Sequence, residues 1–174
     1  MLGSYFVQYF SPSGLNPLAK NVVFVIDVSG SMSGQKIEQT RQAMVTILSQ
    51  LRASDSFNIV LFNGGTDQWR SSASLATSDN INAGKAYVDE HVKAGGNTNI
   101  NSALLLALQL LKNTANQPNS PIAGNFPMVL FLTDGDPTAG VTNTKTIRVN
   151  VYNANKLKAS IRSEEHTSEL QSQR

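Results

Sequence analysis

The chain has 174 residues, a formal net charge of +2 and no cysteine. This length suits one ordinary domain with a hydrophobic core. The small charge comes from scattered lysines and arginines, so it does not indicate a nucleic-acid-binding or membrane-binding protein. The absence of cysteine excludes disulfides, thiolate metal sites and a cysteine nucleophile, and no apolar run approaches the roughly 20 residues of a membrane span.

The chain begins with a segment that we assign to the end of a preceding domain and a linker, residues 1–19. Residues 4–10 are rich in strand-forming side chains, and residues 11–17 have the composition of a turn. Residues 22–26 (Val-Val-Phe-Val-Ile) are apolar without alternation. This pattern predicts a central parallel strand that helices cover on both faces.

Strand and helix patterns then follow one another. We predict strands at 57–62 and 128–132, with a short antiparallel edge at 67–70 after the Gly64-Gly65 turn. Amphipathic spacing predicts helices at 34–52, 79–92, 100–111 and 142–158, the second of them capped by Gly95-Gly96. Lys36 falls among the polar residues of the first helix. The expected fold is α/β, a doubly wound and mostly parallel sheet with helices on both faces.

The end of the chain does not match this pattern. The residues after Lys158 are polar and give no strand signal, and residues 162–172 are similar to a translated sequencing adapter. We therefore expect an incomplete domain at 20–161, truncated at its C-terminal end, and a non-native tail at 162–174. The predicted strand at 128–132 would then be a bare edge that favours self-association.

Oxygen-bearing side chains follow the predicted strands. Asp27, Ser29 and Ser31 come directly after the first strand, Thr98 precedes the buried helix, and Asp134 follows the 128–132 strand. Ligands of α/β sheets bind beyond the carboxyl ends of the strands, where these loops meet. If the loop is extended, alternate side chains from Asp27 to Ser31 can face one ion. Such hard oxygen ligands predict Mg²⁺, with Mn²⁺ or Ca²⁺ as the alternatives.

This five-residue pattern resembles the von Willebrand factor type A domain, whose metal-ion-dependent adhesion site is Asp-x-Ser-x-Ser followed by a distant Thr and a distant Asp. More narrowly, four segments resemble inter-alpha-trypsin inhibitor heavy chains: residues 21–32, 34–36, 99–101 and 134–138. The resemblance implies a non-enzymatic, cation-dependent adhesion domain. It also implies a protein partner that donates an Asp or Glu carboxylate to the metal.

The same resemblance implies that the parent protein is secreted. Hyaluronan, matrix and protease-inhibitor associations would then belong to that parent. The alternative is an intracellular type A domain that acts in metal-dependent complex assembly.

A nucleotide-binding protein and a serine hydrolase are two further interpretations, and the sequence supports both less well than an adhesion domain. Residues 30–37 lack both the spacing and the final Ser or Thr of a P-loop. The segment 30–34 has Met32 where a nucleophile elbow needs serine, and neither His91 nor His166 is a credible catalytic partner. Asp136 is interpreted as a turn residue before Pro137, and Trp69 as edge-strand packing.

Overall fold

The computed structural model describes residues 18–117, 122 and 124–165. Its strands are β1 (Lys20–Asp27), β2 (Ser56–Phe62), β3 (Thr66–Gln68), β4 (Ser74–Leu75), β5 (Phe126–Thr133) and β6 (Ser160–Glu165). Its helices are α1 (Gln35–Ser49), α2 (Ser78–His91), α3 (Ile100–Ala115) and α4 (Thr144–Ala154), with a short 3-10 helix at Gly30–Met32. The predicted strand at 4–10, its linker, and residues 166–174 lie outside the described part.

The strands form one sheet in the order β3-β2-β1-β5-β6. β1 is parallel to both β2 and β5, and β5 is parallel to β6. The short strands β3 and β4 both pair with β2 in the antiparallel sense. The predicted doubly wound, mostly parallel sheet is therefore confirmed, including the antiparallel edge after the glycine turn.

The central strand β1 divides the core into two layers. Val22, Phe24 and Ile26 belong to the apolar cluster that includes Met44 of α1 and Val88 of α2. Val23 and Val25 belong to the opposite cluster, with apolar residues of α3 and Ile147 of α4. Successive side chains of a strand point to opposite faces, so an uninterrupted apolar run is what a strand buried on both sides requires.

Within the described ranges, no helix is long and apolar enough to cross a membrane.

The expectation of a bare edge at β5 is wrong. Residues 160–165 form β6, which pairs along β5 from Met128↔Ser160 to Thr133↔Glu165. The strand escaped prediction because its sequence, Ser-Ile-Arg-Ser-Glu-Glu, is polar. Parallel pairing requires only the backbone, and charged side chains are common on outer strands. Residues 162–165 thus belong to the sheet, although they were excluded from it above. Their assignment to a non-native tail stays a prediction.

A buried carboxylate holds the start of β1, which is the end of the strand opposite to the predicted site. The side chain of Asp55 is fully buried. Its Oδ1 accepts a hydrogen bond from the backbone N–H of Lys20 at 2.9 Å, and its Oδ2 accepts one from the N–H of Arg52 at 3.0 Å. One side chain therefore joins the start of β1 to the loop before β2.

We expect Asp55→Ala to lower the free energy of unfolding by about 2–4 kcal/mol, because two backbone donors lose a charged acceptor. Urea denaturation followed by circular dichroism measures this change. Asp89→Ala, which removes an exposed carboxylate from α2, is the matched control and should shift stability by less than about 0.5 kcal/mol. Equal denaturation midpoints for the two variants would contradict the proposed role of Asp55.

Candidate metal centre

Asp27 is the last residue of β1, and it is completely buried. Its Oδ1 accepts a hydrogen bond from the backbone N–H of Ser29 at 2.8 Å. Its Oδ2 accepts one from the hydroxyl of Thr133, the last residue of β5, at 2.7 Å. Both oxygens are therefore held in place, and the carboxylate ties two neighbouring parallel strands together at their carboxyl ends.

A line of hydroxyls continues from this carboxylate across the edge of the sheet. The Oγ atoms of Ser29 and Ser31 are 3.0 Å apart, and the Ser31 hydroxyl donates to Oδ1 of Asp134 at 2.9 Å. Ser29 is buried and Ser31 is exposed. The structure thus brings Asp27, Ser29, Ser31 and Asp134 into one connected network. Their role as metal ligands stays a prediction.

The backbone of this loop differs from the extended turn assumed above. Ser29 is extended, with φ −67° and ψ 171°, but residues 30–32 form a 3-10 helix. Ser31 therefore lies inside a tight helical turn. Its hydroxyl still meets that of Ser29, so the Ser-x-Ser spacing is compatible with one shared site in this geometry as well.

The loop at 92–99 packs against the loop that follows β1. The N–H of Gly95 donates to the carbonyl of Val28 at 2.8 Å, and the N–H of Gly30 donates to the carbonyl of Gly96 at 2.9 Å. A Cβ atom on Gly30 would lie 3.3 Å from that Gly96 oxygen. The prediction that Gly95-Gly96 caps α2 is wrong, because the helix ends at His91 and the glycines serve this loop contact instead.

Thr98 lies in the same loop and is buried. Its N–H donates to Oγ1 of Thr138 at 2.9 Å, and its carbonyl accepts from the N–H groups of Thr138 and Ala139 at 2.9 and 3.1 Å. The next residue, Asn99, donates its N–H to the carbonyl of Asn63 just after β2. Thr98 is therefore fixed at the same edge, but these bonds join it to the segment after Asp134 and not to the four-residue network.

Asp134 also carries an ion pair that the sequence did not predict. The Nζ of Lys36 is 2.6 Å from Oδ2 of Asp134, whose side chain is only 4% exposed. Burial raises the pKa of this carboxyl, but the hydrogen bonds from Lys36 and Ser31 and the Lys36 charge outweigh that effect. The pKa of Asp134 consequently lies below its ordinary value, and the carboxylate is ionised at neutral pH.

Sequence reasoning missed three contributors to this edge: Thr133, Thr138 and Lys36. Thr133 could have been found as the polar end of the apolar run in β5. Thr138 and Lys36 lie in the family-like segments 134–138 and 34–36, but their contacts depend on how distant loops pack. Trp69 packs against Phe57 with ring centroids 5.0 Å apart, which confirms its predicted packing role.

The donor set fits a hard divalent cation such as Mg²⁺, Mn²⁺ or Ca²⁺ better than a softer ion such as Cu²⁺. Two carboxylates and two hydroxyls are linked by the hydrogen bonds described above, and all of them are oxygen donors. In the described part of the chain, no cluster of three or more His, Cys, Asp or Glu side chains could hold a metal ion. A metal here would therefore depend on hydroxyls, or on water, as well as on Asp27 and Asp134.

Comparison with known proteins identifies the family to which this domain belongs. A family model of the von Willebrand factor type A domain matches residues 21–163. Human inter-alpha-trypsin inhibitor heavy chain H4 is 47% identical over 150 residues, which are 86% of this chain and 16% of that protein. Human heavy chain H6 is 48% identical over 152 residues, covering 86% of this chain and 12% of that protein. The chain thus spans less than a fifth of the length of these relatives.

Solved structures show the same fold at low sequence identity. A von Willebrand factor type A protein from Catenulispora acidiphila superposes with a TM-score of 0.66 at 18% identity, covering 84% of this chain and 33% of that one. Proximal thread matrix protein 1 from the mussel byssus, solved with zinc in its adhesion-site motif, gives 0.65 at 14% identity over 84% of this chain and 37% of that one. The chain belongs to the von Willebrand factor type A domain family, and its curated relatives are inter-alpha-trypsin inhibitor heavy chains.

Proposed function

We propose that this domain binds a protein partner through a divalent cation held by Asp27, Ser29, Ser31, Thr98 and Asp134. The observation that carries the proposal is the line of hydrogen bonds from Thr133 through Asp27, Ser29 and Ser31 to Asp134. It joins the carboxylate that ends β1 and the carboxylate that directly follows β5 in one polar network. Mg²⁺ is the preferred ion, and Mn²⁺ or Ca²⁺ are alternatives with the same preference for oxygen.

The chemistry of the proposed site is binding without catalysis. A bound divalent ion would supply an open coordination position for an Asp or Glu carboxylate of the partner. The protein's own residues orient the ligands: Thr133 fixes one oxygen of Asp27, and the Ser29 N–H fixes the other. His91, the histidine of the described ranges, lies at the end of α2 against Tyr87 and does not join the network.

A polar cavity of about 320 Å³ offers room for a partner larger than a single carboxylate. It is lined by Val28, which directly follows Asp27, and by polar side chains that include Asn63, Asp67 and Lys93. Asn63 also donates to the carbonyl of Gly95 in the loop that carries Thr98. This cavity is the place where a neighbouring residue of the partner would bind.

The likeness to inter-alpha-trypsin inhibitor heavy chains extends the proposal to the parent protein. We place that parent outside the cell, in a complex with protease inhibitor, hyaluronan or matrix. The support for this step is sequence identity of 47–48% to human heavy chains H4 and H6. These associations concern a much longer protein, so the metal-dependent binding of this domain is tested by itself below.

We expect the wild-type domain to bind Mg²⁺ or Mn²⁺ in isothermal titration calorimetry. Asp27→Ala and Asp134→Ala should each lower the affinity by more than about 100-fold, since each removes a charge that offsets desolvation of the ion. Ser29→Ala removes a neutral donor and should cost about tenfold. Asp136→Ala is the matched control, because it removes an exposed carboxylate two residues from Asp134. Unchanged binding in both Asp27→Ala and Asp134→Ala would rule out this metal site.

The proposed recognition of a partner carboxylate is tested with a small molecule, N-acetyl-aspartate amide. Titrated into the Mn²⁺-loaded domain, it should change the relaxation rate of water protons in a saturable way, because it replaces water on the ion. N-acetyl-asparagine amide has the same shape without the charge and should have little effect. Excess EDTA should abolish the response while circular dichroism stays unchanged. Equal responses to both probes would contradict carboxylate recognition.

Thr133→Val should weaken Mn²⁺ binding by about tenfold, because Asp27 loses the hydroxyl that fixes one of its oxygens. Thr46→Val is the matched control, since Thr46 is exposed and its hydroxyl bonds only within α1. Calorimetry on the two variants measures the difference. If Thr133→Val binds Mn²⁺ as tightly as the control, then orientation of Asp27 does not limit affinity.

A further inference from the structure

The ion pair between Lys36 and Asp134 occupies part of the proposed metal site. Both oxygens of Asp134 are engaged: Ser31 donates to Oδ1 at 2.9 Å, and Lys36 donates to Oδ2 at 2.6 Å. The Asp134 side chain is 4% exposed, whereas that of Lys36 is 49% exposed. The carboxylate is therefore fixed in the protein, and the lysine reaches it from the solvent side.

The position of Lys36 makes this contact notable. Lys36 is the second residue of α1, which begins at Gln35. The first turn of a helix carries partial positive charge, so a lysine there is electrostatically unfavourable unless an acid compensates it. Asp134 provides that compensation from the end of β5. The two residues are 98 positions apart in the chain, so the pair also links α1 to the loop after β5.

The positive charge of Lys36 opposes the binding of a metal ion at this site. Asp27 and Asp134 are the two carboxylates of the network, and the Lys36 ammonium offsets the charge of one of them. A cation at the Asp134 oxygen also repels a divalent ion placed on the same carboxylate. At separations of a few ångströms this repulsion is substantial, even at the dielectric of a protein surface.

We propose that Lys36 is a resident counter-cation that competes with the divalent ion for Asp134. In the metal-free protein its ammonium neutralises the carboxylate and holds it in place. When metal binds, the ammonium leaves Oδ2 of Asp134. The free energy of the lost ion pair makes the free energy of metal binding less favourable. The lysine therefore sets the divalent-ion concentration at which the site fills. This inference rests on the metal site proposed above.

The test compares Lys36→Gln with Lys112→Gln. Both variants remove one positive charge, but Lys112 is exposed in the last turn of α3 and makes no described contact with the network. In calorimetry with Mn²⁺, Lys36→Gln should bind about tenfold more tightly than wild type. Lys112→Gln should stay within about twofold, since a distant exposed charge is screened by salt. In EDTA, Lys36→Gln should also unfold at a lower temperature than Lys112→Gln.

A second measurement uses the unmodified protein and does not depend on how the variants fold. In NMR spectra selective for lysine side chains, the Nζ and Cε signals of Lys36 should shift on Mg²⁺ titration and saturate with the calorimetric affinity. The signals of Lys112 should stay in place.

The outcomes separate this inference from the proposed function. If Lys36→Gln binds Mn²⁺ with unchanged or weaker affinity, or if the Lys36 signals do not move, the competition is refuted while the metal site stands. If neither the wild type nor Lys36→Gln binds Mn²⁺ or Mg²⁺, the metal site is refuted and the competition with it.

Discussion

The buried carboxylate of Asp27 is the constraint on which the rest of the edge depends. A charge removed from water is costly unless hydrogen bonds replace its hydration. Here the replacements come from Thr133 on β5 and from the N–H of Ser29, so the carboxylate dictates both the register between two strands and the path of the loop. The Ser-x-Ser hydroxyls then extend this network outward to Asp134, whose own charge is balanced by Lys36 at the solvent side.

Prediction of the fold from sequence succeeded where burial is symmetrical. β1 and β2 lie between two layers of helices, so their apolar runs identify them directly. It failed for β6, which lies at an edge, needs few apolar side chains and pairs through its backbone. The cap of α2 was also assigned wrongly, because a glycine pair can serve a loop contact as well as a helix cap.

The candidate site was likewise predictable from the sequence only in part. The Asp-x-Ser-x-Ser spacing and the acid after β5 could be identified because topology places the carboxyl ends of parallel strands at one edge. The residues that contact them could not be identified from the sequence. Lys36 was interpreted as an ordinary polar residue of an amphipathic helix, and no contact was predicted for Thr138. Their contacts arise from packing of segments far apart in the chain, and no local periodicity records that packing.

The hydrogen bond between Thr133 and Asp27 joins residues 106 positions apart in the chain. Closing so long a loop is entropically costly and tends to occur late in folding, after local helices and turns have formed. A partly folded chain without the β1–β5 pairing lacks the contacts of Asp27 with Thr133 and of Ser31 with Asp134. Any ligand that requires the assembled edge consequently discriminates against folding intermediates, and by mass action it stabilises only the chain that has completed its longest-range strand pairing.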